Sequence, residues 1–295
     1  MSTRRCTQRQ LLLRPDSDTN QMVPYCVGVA AERYQIELHG LMVMSNTVVL
    51  NYRDIHGNDP AFRQHLFSLL ARGMNVVRSR WEAFWSSDEP SVMALVDGGA
   101  QLDWLVYNLT DSVRQGLVDK VMSWPGVCSL RYQLAGKEMK VKRPKKFFSG
   151  DGSLPGEVSL RFVPPPAFAH LSDAEWAALL LERVSAVEEE AAEQRRAEGR
   201  SIAGRKAVLR RSPFSYPKTN PPRRNLNPRL ACKDKDKRVA AIEAMKSFQA
   251  RYRAAFERFR EAIAERRNNI GDILFPRGTW QLARLGLVSC EPAPS

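Results

Sequence analysis

The sequence predicts an α+β fold in which an antiparallel sheet carries helices on its surface. The strongest observation is residues 36–52, where two β-branched and apolar runs are pinched at Ser45-Asn46 as in a hairpin. A predicted strand and helix precede this hairpin, and a helix, a strand and another helix follow it. Elements in this order are typical of a ferredoxin-like layer. A basic, mainly helical C-terminal extension is predicted after it.

Residue spacing predicts the elements before the hairpin. Residues 4–13 alternate polar and apolar side chains and close in a leucine run, which predicts a strand that ends at Arg14-Pro15. Residues 21–33 carry apolar side chains at helical spacing, which predicts the first helix. The chain then passes directly into the hairpin.

After the hairpin, a loop rich in turn-forming residues leads to a helix predicted over 60–78, with Asp59 as its N-cap. Residues 91–96 predict a short strand. Asp97 then caps a helix predicted over 98–115. These elements complete the predicted layer.

Prolines near residue 165 mark a predicted boundary between a sheet-containing domain, 1–165, and a basic helical region, 166–295. The remaining predicted elements are strands over 137–143 and 157–163, a helix over 172–198 that Ser172 opens with a capping box, and a last helix over 236–268.

The positive charge of the chain is segregated. It holds 45 Lys and Arg against 32 Asp and Glu, a formal net charge of +13. Residues 195–238 carry 15 basic and 3 acidic side chains, and residues 137–146 carry 6 and 1. Such clusters favour a polyanion, because phosphates neutralise them and release counterions. A merely solvated basic surface is the alternative.

Composition argues against several other classes of protein. The five cysteines are widely spaced and include no CxxC pair, so neither a disulfide framework nor a zinc site is predicted. No run of about 18 apolar residues occurs, and the N-terminus is too weakly apolar for a signal peptide. We therefore expect a cytoplasmic protein without a membrane partner.

Three separated motifs carry a resemblance to a known family. They are HGLMVMSN at 39–46, RSRWEAFWSS at 78–87 and VYNLTDSVRQGLVDKVMSWPGV at 106–127. In this order they resemble the single-tyrosine HUH transposases of the insertion-sequence and REP-associated kind, over residues 4–130. The resemblance implies cleavage of a DNA strand by a helix tyrosine, while two histidines and a polar helix residue hold a divalent metal.

Tyr107 falls on the family's tyrosine position, which makes it the candidate nucleophile. Helical spacing agrees, because at 100° per residue the apolar residues of this helix form one stripe and Tyr107 lies opposite, one turn from Asp111. Asp111 stands where the family has an asparagine and offers a carboxylate to a metal. A packed or surface tyrosine is the alternative for Tyr107.

The histidine pair of the family is missing. Where the family has His-x-His, this sequence has Thr47-Val48-Val49, and valine has no lone pair to donate to a metal. His39 on the preceding strand is not a substitute, because alternation from a two-residue turn at 45–46 predicts it on the opposite face from Val49. His39 is interpreted as a strand histidine with a structural hydrogen bond.

The sequence therefore predicts a transposase-related DNA-binding protein whose metal-dependent cleavage of single strands is weakened or lost. Its predicted partner is single-stranded or hairpin DNA. Trp81, Trp85 and Tyr216 are candidate stacking platforms, with core packing as the alternative. The predicted phosphate-binding residues are Lys137, Lys140, Lys142, Arg143, Lys145, Lys146, Arg205, Lys206, Arg210, Arg211, Arg223 and Arg224.

An active enzyme is the main alternative, with Tyr107 as nucleophile and with Asp111 and Thr47 holding Mg²⁺ or Mn²⁺. Without activity, no cofactor is expected. RNA binding and a decaying relic without a selected role are further alternatives. The resemblance also raises a homodimer, because relatives in the family act as dimers, although no residue here predicts one.

Overall fold

The computed structural model describes residues 1–217, 228–265, 272–276 and 289–290. Its first six elements confirm the predicted order of strands and helices. They are β1 (Ser2–Arg5), α1 (Ser17–Tyr34), β2 (Ile36–Met44), β3 (Thr47–Asp54), α2 (Asp59–Val77) and β4 (Ser91–Val92). The four strands form an antiparallel sheet in the order β2, β3, β1, β4. This order of strands is the predicted ferredoxin-like topology.

The later elements extend this layer and build the C-terminal region. They are β5 (Ala94–Leu95), α3 (Gly98–Leu109), α4 (Asp111–Arg114), α5 (Leu130–Leu134), β6 (Met139–Lys142), β7 (Glu157–Leu160), α6 (Asp173–Ala197), α7 (Arg205–Arg210), β8 (Leu230–Ala231), α8 (Lys235–Ala264), β9 (Leu274–Phe275) and β10 (Ser289–Cys290). None of the helices in the described ranges is long and apolar enough to cross a membrane.

The sheet separates two hydrophobic cores. The core that α1 and α2 form with one face includes Tyr25 and Leu41. The core on the opposite face is formed with α3, α5 and α6 and includes Met42 and Leu105. Helix α3 lies close to β2 because Gly40 has no side chain, and a Cβ there would collide with Cδ1 of Leu105. The face that carries Met42 is therefore covered by α3.

A β-bulge in β2 changes the predicted placement of His39. The pairing with β3 shifts between Leu38 and Gly40, so β2 carries an extra residue at this point. Leu38 remains in the core under α1, whereas His39 and Asn51 line one cavity on the α3 side of the sheet. The prediction that His39 faces away from this side is wrong, because it assumed unbroken alternation.

The strand predicted over 4–13 is wrong for most of its length, because β1 ends at Arg5. Leu12 and Leu13 are fully buried in a loop instead. The backbone N–H of Leu13 donates to the carbonyl of Ser45 at 2.9 Å, and Nε of Arg78 donates to the carbonyl of Leu12 at 2.9 Å. The leucine run therefore signalled burial rather than strand pairing.

Two predicted details around α2 also differ. Asn58, not Asp59, occupies the N-cap position of α2. The Asp59 carboxylate accepts hydrogen bonds from the hydroxyl of Tyr52 and the guanidinium of Arg63. The strand predicted over 91–96 splits at Met93, because β4 pairs with β1 whereas β5 pairs with β8. A single strand cannot follow both partners.

The helix predicted over 98–115 is interrupted. It begins as predicted, since Oδ1 of Asp97 accepts the N–H of Ala100 at 2.7 Å. It breaks at Thr110, whose hydroxyl donates to the carbonyl of Val106 at 2.8 Å, and α4 follows. At the break, the hydrogen bond from the Thr110 hydroxyl competes with the backbone hydrogen bond of the helix for the Val106 carbonyl.

The C-terminal region is joined to the sheet layer through α6 and through the segment that enters α8, among other contacts. Ser172 and Glu175 form the predicted capping box of α6, and Trp176 of this helix is buried in the second core. Oδ2 of Asp97 accepts the backbone N–H groups of Lys233 and Asp234, where the chain enters α8. Helix α8 corresponds to the helix predicted over 236–268. The domain boundary at 165 stays a prediction.

Candidate nucleic-acid interface

Thr47 and Val49, which the resemblance aligns with the family's two histidines, lie on the face of β3 that is turned toward α3. Val49 pairs with Met42 and Thr47 with Met44, as the hairpin predicts, and both methionines are buried in the second core. Val49 is 7% exposed. The Thr47 hydroxyl donates to Oδ1 of Asn46 at 3.1 Å. Val49 and the facing Met42 thus form an apolar surface at this place on the sheet.

Asp111 does not supply an open ligand. Its Oδ1 accepts from Arg114 at 3.0 Å and its Oδ2 from Gln115 at 2.9 Å. Burial raises the pKa of Asp111, against the opposing hydrogen bond from Gln115 and charge of Arg114. Among the described residues, no group of three or more His, Cys, Asp or Glu side chains is arranged to hold a metal ion. The donor set around Thr47, Val49 and Asp111 does not fit a divalent metal.

Tyr107 lies on the outer face of α3, as its helical spacing predicts. Its side chain is 49% exposed, whereas Leu105 and Val106 are buried. The ring contacts Trp104 edge to face at a centroid distance of 5.2 Å. The guanidinium of Arg114 lies over the same ring at 3.3 Å from its centroid. The tyrosine is therefore accessible to solvent and held from two sides.

The polar residue that α3 presents to β3 is Asn108. Its Nδ2 donates to Oδ1 of Asn51 at 2.8 Å, and both side chains are buried. Sequence reasoning missed this pair. The signal was weak, because at about 100° per residue Asn108 falls about 60° from Leu105, beside the apolar stripe of the helix and not within it.

An open basic groove lies between the start of α1, helix α5 and strand β6. Its volume is about 620 Å³. Arg131, Lys140, Lys142 and Arg205 line it, and Glu157 is the carboxylate among its described lining residues. Lys140 and Lys142 belong to one of the two basic clusters and Arg205 to the other, more than sixty residues further along the sequence. Arg131 was missed, because it stands in neither cluster.

Some predicted phosphate-binding residues have partners within the protein. Lys146 forms an ion pair with Asp18 at 2.5 Å. Arg143 donates to the carbonyls of Gly152 and Leu154, at 3.1 and 2.8 Å, and so organises the loop between β6 and β7. Predicted residues with exposed side chains outside the groove are Lys137, Lys145, Lys206, Arg210 and Arg211. Arg223 and Arg224 lie outside the described residues.

The three candidate stacking aromatics divide into two kinds. Trp81 is 91% exposed and Tyr216 is 67% exposed. Trp85 is buried and donates from Nε1 to the carbonyl of Phe67 at 2.7 Å. Trp85 is therefore a core residue, as the alternative for these aromatics states, and only the other two have faces available to a base.

The fold and site thus define a ferredoxin-like α+β protein with a basic groove and an apolar surface around Val49. No known family model matches the sequence, and no curated protein matches it. The chain is similar to a solved structure of a REP-associated tyrosine transposase bound to a REP hairpin. The similarity has a TM-score of 0.37 and 12% sequence identity, and it covers 55% of this chain and 90% of that chain.

Proposed function

We propose that this chain is a transposase-related DNA-binding protein that holds single-stranded or hairpin DNA and has weakened or lost metal-dependent cleavage. The groove between α1, α5 and β6 carries the proposal, because it assembles cationic side chains from distant parts of the chain. Lys140, Lys142 and Arg205 offer donors to successive phosphates, and Arg131 adds a fourth charge. Trp81 and Tyr216 supply exposed rings for stacking.

The chemistry of β3 supports the second half of the proposal. Cleavage by a tyrosine needs a metal or another cation that stabilises charge on the phosphate as the tyrosine oxygen attacks. Val49 and the facing Met42 offer no ligand, and the carboxylate oxygens of Asp111 are bonded to neighbours. No cofactor is therefore expected in the proposed binding function.

One observation favours the active alternative, which is the exposure of Tyr107. In that reaction Oη of Tyr107 attacks phosphorus, a phosphotyrosine bond forms, and the 3′ oxygen leaves as a hydroxyl after taking a proton. Arg114, over the ring of Tyr107, is the nearest cation that the structure places beside this tyrosine. Because Val49 cannot ligate a metal, Mg²⁺ or Mn²⁺ would need other ligands. Thr47 and Asp111 are the predicted ones.

The proposed function is tested by the salt dependence of binding to a labelled DNA hairpin. Replacing Lys140 and Arg205 by glutamine is expected to weaken binding about tenfold and to lower the slope of log K against log salt by about 1 to 2. The control is Lys120→Gln, an exposed lysine outside the groove, which is expected to change affinity less than about twofold.

Two results would reject this function. One is an affinity for the hairpin that does not change with salt, and the other is an equal loss in the control variant. If a matched RNA hairpin competes better than the DNA hairpin, the ligand of the groove is RNA rather than DNA. Sedimentation of the free protein and its DNA complex tests the expected homodimer.

A further inference from the structure

A small cavity with a mainly apolar lining lies on the α3 side of the sheet, beside the bulge in β2. Its volume is about 160 Å³. His39 and Asn51 line it from the sheet, Leu95 lines it from β5, and Pro165 lines it from the loop before α6. At about 30 Å³ for each water in the liquid, this space equals about five waters, enough for one ring system.

His39 lines this cavity and carries an unpaired acceptor. Its Nδ1 lies 3.1 Å from the carbonyl of Val163, and because a carbonyl only accepts, Nδ1 carries the proton. Nε2 therefore has a free lone pair and makes no hydrogen bond among the described residues, although the residue is only 4% exposed. Oε1 of Glu37, which lies 3.7 Å from Nε2, is also an acceptor. Burial lowers the pKa of His39, which keeps the ring neutral.

Asn51 contributes an unpaired donor to the same cavity. Its Oδ1 accepts from Nδ2 of Asn108 at 2.8 Å, which orients the amide. Nδ2 of Asn51 is then buried without a partner among the residues that the structure describes. A buried donor and a buried acceptor left unpaired each cost about 1 to 3 kcal/mol unless something bonds to them. The cavity is therefore suited to a ligand that has an N–H group beside an acceptor.

We propose that this cavity binds one unpaired nucleobase of the DNA strand, which His39 and Asn51 recognise through an N–H and an adjacent acceptor on the base edge. The proposal rests on the proposed function and names what the protein contacts beyond phosphates. Each base carries a donor and an acceptor side by side on its pairing edge, exposed only when the base is unpaired. Leu95 and Pro165 offer apolar contact to the ring, and the exposed Arg53 lines the cavity as a partner for the phosphate.

The position of the cavity agrees with this occupant. Asn51 is two residues beyond Val49 on the same face of β3, so the cavity adjoins the degenerate metal position. A base held there would leave its phosphate near the strand that carries Val49. The protein would then retain recognition of a base at a place where it lacks metal ligands.

The test uses ¹⁵N nuclear magnetic resonance of the His39 ring during titration of the full chain with each of the four deoxynucleoside monophosphates. At least one nucleotide is expected to shift the Nε2 signal toward a hydrogen-bonded value and to saturate. Ala94→Trp, at an exposed position that lines the cavity, is expected to weaken that binding at least about tenfold by filling the space. Ala169→Trp, exposed and outside the cavity, serves as the matched control.

The outcomes separate this proposal from the proposed function. If no nucleotide moves the His39 signal, or if Ala94→Trp binds as the wild type does, the cavity holds only water and the inference is overturned. Hairpin binding that weakens as salt rises would then still be explained by the groove. If hairpin binding fails but a nucleotide saturates His39, the proposed function falls and the cavity remains a nucleotide site.

Discussion

The guanidinium of Arg114 lies 3.3 Å from the centroid of the Tyr107 ring. Arg114 also donates to the carbonyl of Tyr107 at 2.8 Å and to Oδ1 of Asp111 at 3.0 Å. One arginine therefore holds the candidate nucleophile and occupies the candidate carboxylate ligand at once. Because Asn108 takes the position against β3, Tyr107 stays on the outer face of α3.

The first prediction concerns covalent chemistry at Tyr107. Wild-type protein incubated with a labelled single-stranded hairpin and Mg²⁺ or Mn²⁺ is expected to give no covalent DNA adduct, since no ligand set fits the metal. Tyr107→Phe is expected to bind the hairpin within about twofold of wild type. An adduct on denaturing gels that disappears in Tyr107→Phe would establish the active alternative instead.

The second prediction concerns restoration of the histidine pair. Thr47→His with Val49→His is expected to lower the free energy of unfolding by about 1 to 3 kcal/mol, because an imidazole enters the apolar surface opposite Met42. Urea unfolding with and without Mn²⁺ measures this, and we expect no stabilisation by the metal. Thr47→His alone, at a less buried position, is the control. A midpoint that rises with Mn²⁺ would show that the site can still close around a metal.

The third prediction concerns Trp81, which is 91% exposed. Trp81→Ala is expected to weaken binding of a single-stranded oligonucleotide about tenfold, because stacking on an aromatic ring contributes about 1 to 3 kcal/mol per base. The thermal midpoint is expected to stay unchanged, since the ring packs on little. Trp81→Phe keeps a stacking face and is expected to bind nearly as wild type does. If wild type, Trp81→Ala and Trp81→Phe all bind the oligonucleotide with equal affinity, Trp81 is not part of the DNA interface.

The fourth prediction concerns the attachment of α8 through Asp97. Its Oδ1 caps α3, and its Oδ2 accepts from Sγ of Cys232 at 3.0 Å and from the N–H of Asp234 at 2.8 Å. These hydrogen bonds hold the pKa of Asp97 well below its usual range. Asp97→Asn keeps one carbonyl oxygen but loses the second acceptor, so the Cys232 thiol is expected to react about tenfold faster with a disulfide reagent.

The control for this attachment is Asp236→Asn, at an exposed position in the first turn of α8, which leaves Asp97 and Asp234 in place. It is expected to leave the reactivity of Cys232 unchanged. An unchanged thiol rate in Asp97→Asn would mean that β8 alone, by pairing with β5, holds this segment.

The fifth prediction concerns the pH dependence of stability at Asp16. Burial alone would raise the pKa of Asp16, but hydrogen bonds from Arg78 and Thr19 outweigh it and lower the pKa from 3.8 to about 2. A carboxyl whose folded pKa is depressed stabilises the protein above its unfolded pKa, and this stabilisation is lost as pH falls from about 4 to about 2. The charge on Asp16 therefore matters most near neutral pH.

Asp16→Asn is expected to lower the free energy of unfolding at pH 7 by on the order of 1 to 2 kcal/mol, and by much less near pH 2.5. Urea unfolding of both proteins across this range measures the difference. A difference that stays constant with pH would show that the loss comes from the hydrogen bond that Asp16 accepts from the N–H of Thr19, and not from the charge on Asp16.

The placement of Tyr107 and the register of the hairpin followed from local periodicity. Strand alternation fixed the pairing of Met42 with Val49, and the 100° rotation per residue put Tyr107 opposite the buried stripe. The same reasoning failed at His39, because one bulge residue reverses alternation beyond it. It also failed at Leu12, since an apolar run shows that a segment is buried but not whether it pairs as a strand.

By itself the sequence determined the order of elements, the segregation of positive charge and the absence of a metal-ligating side chain at Val49, because each depends on residue type and near-neighbour spacing. Only the tertiary structure decided that Arg205 lines one groove with Lys140, and that His39 and Asn51 share a cavity. Both arrangements depend on how distant segments cross and pack, and this is set by burial of shared surface rather than by local spacing.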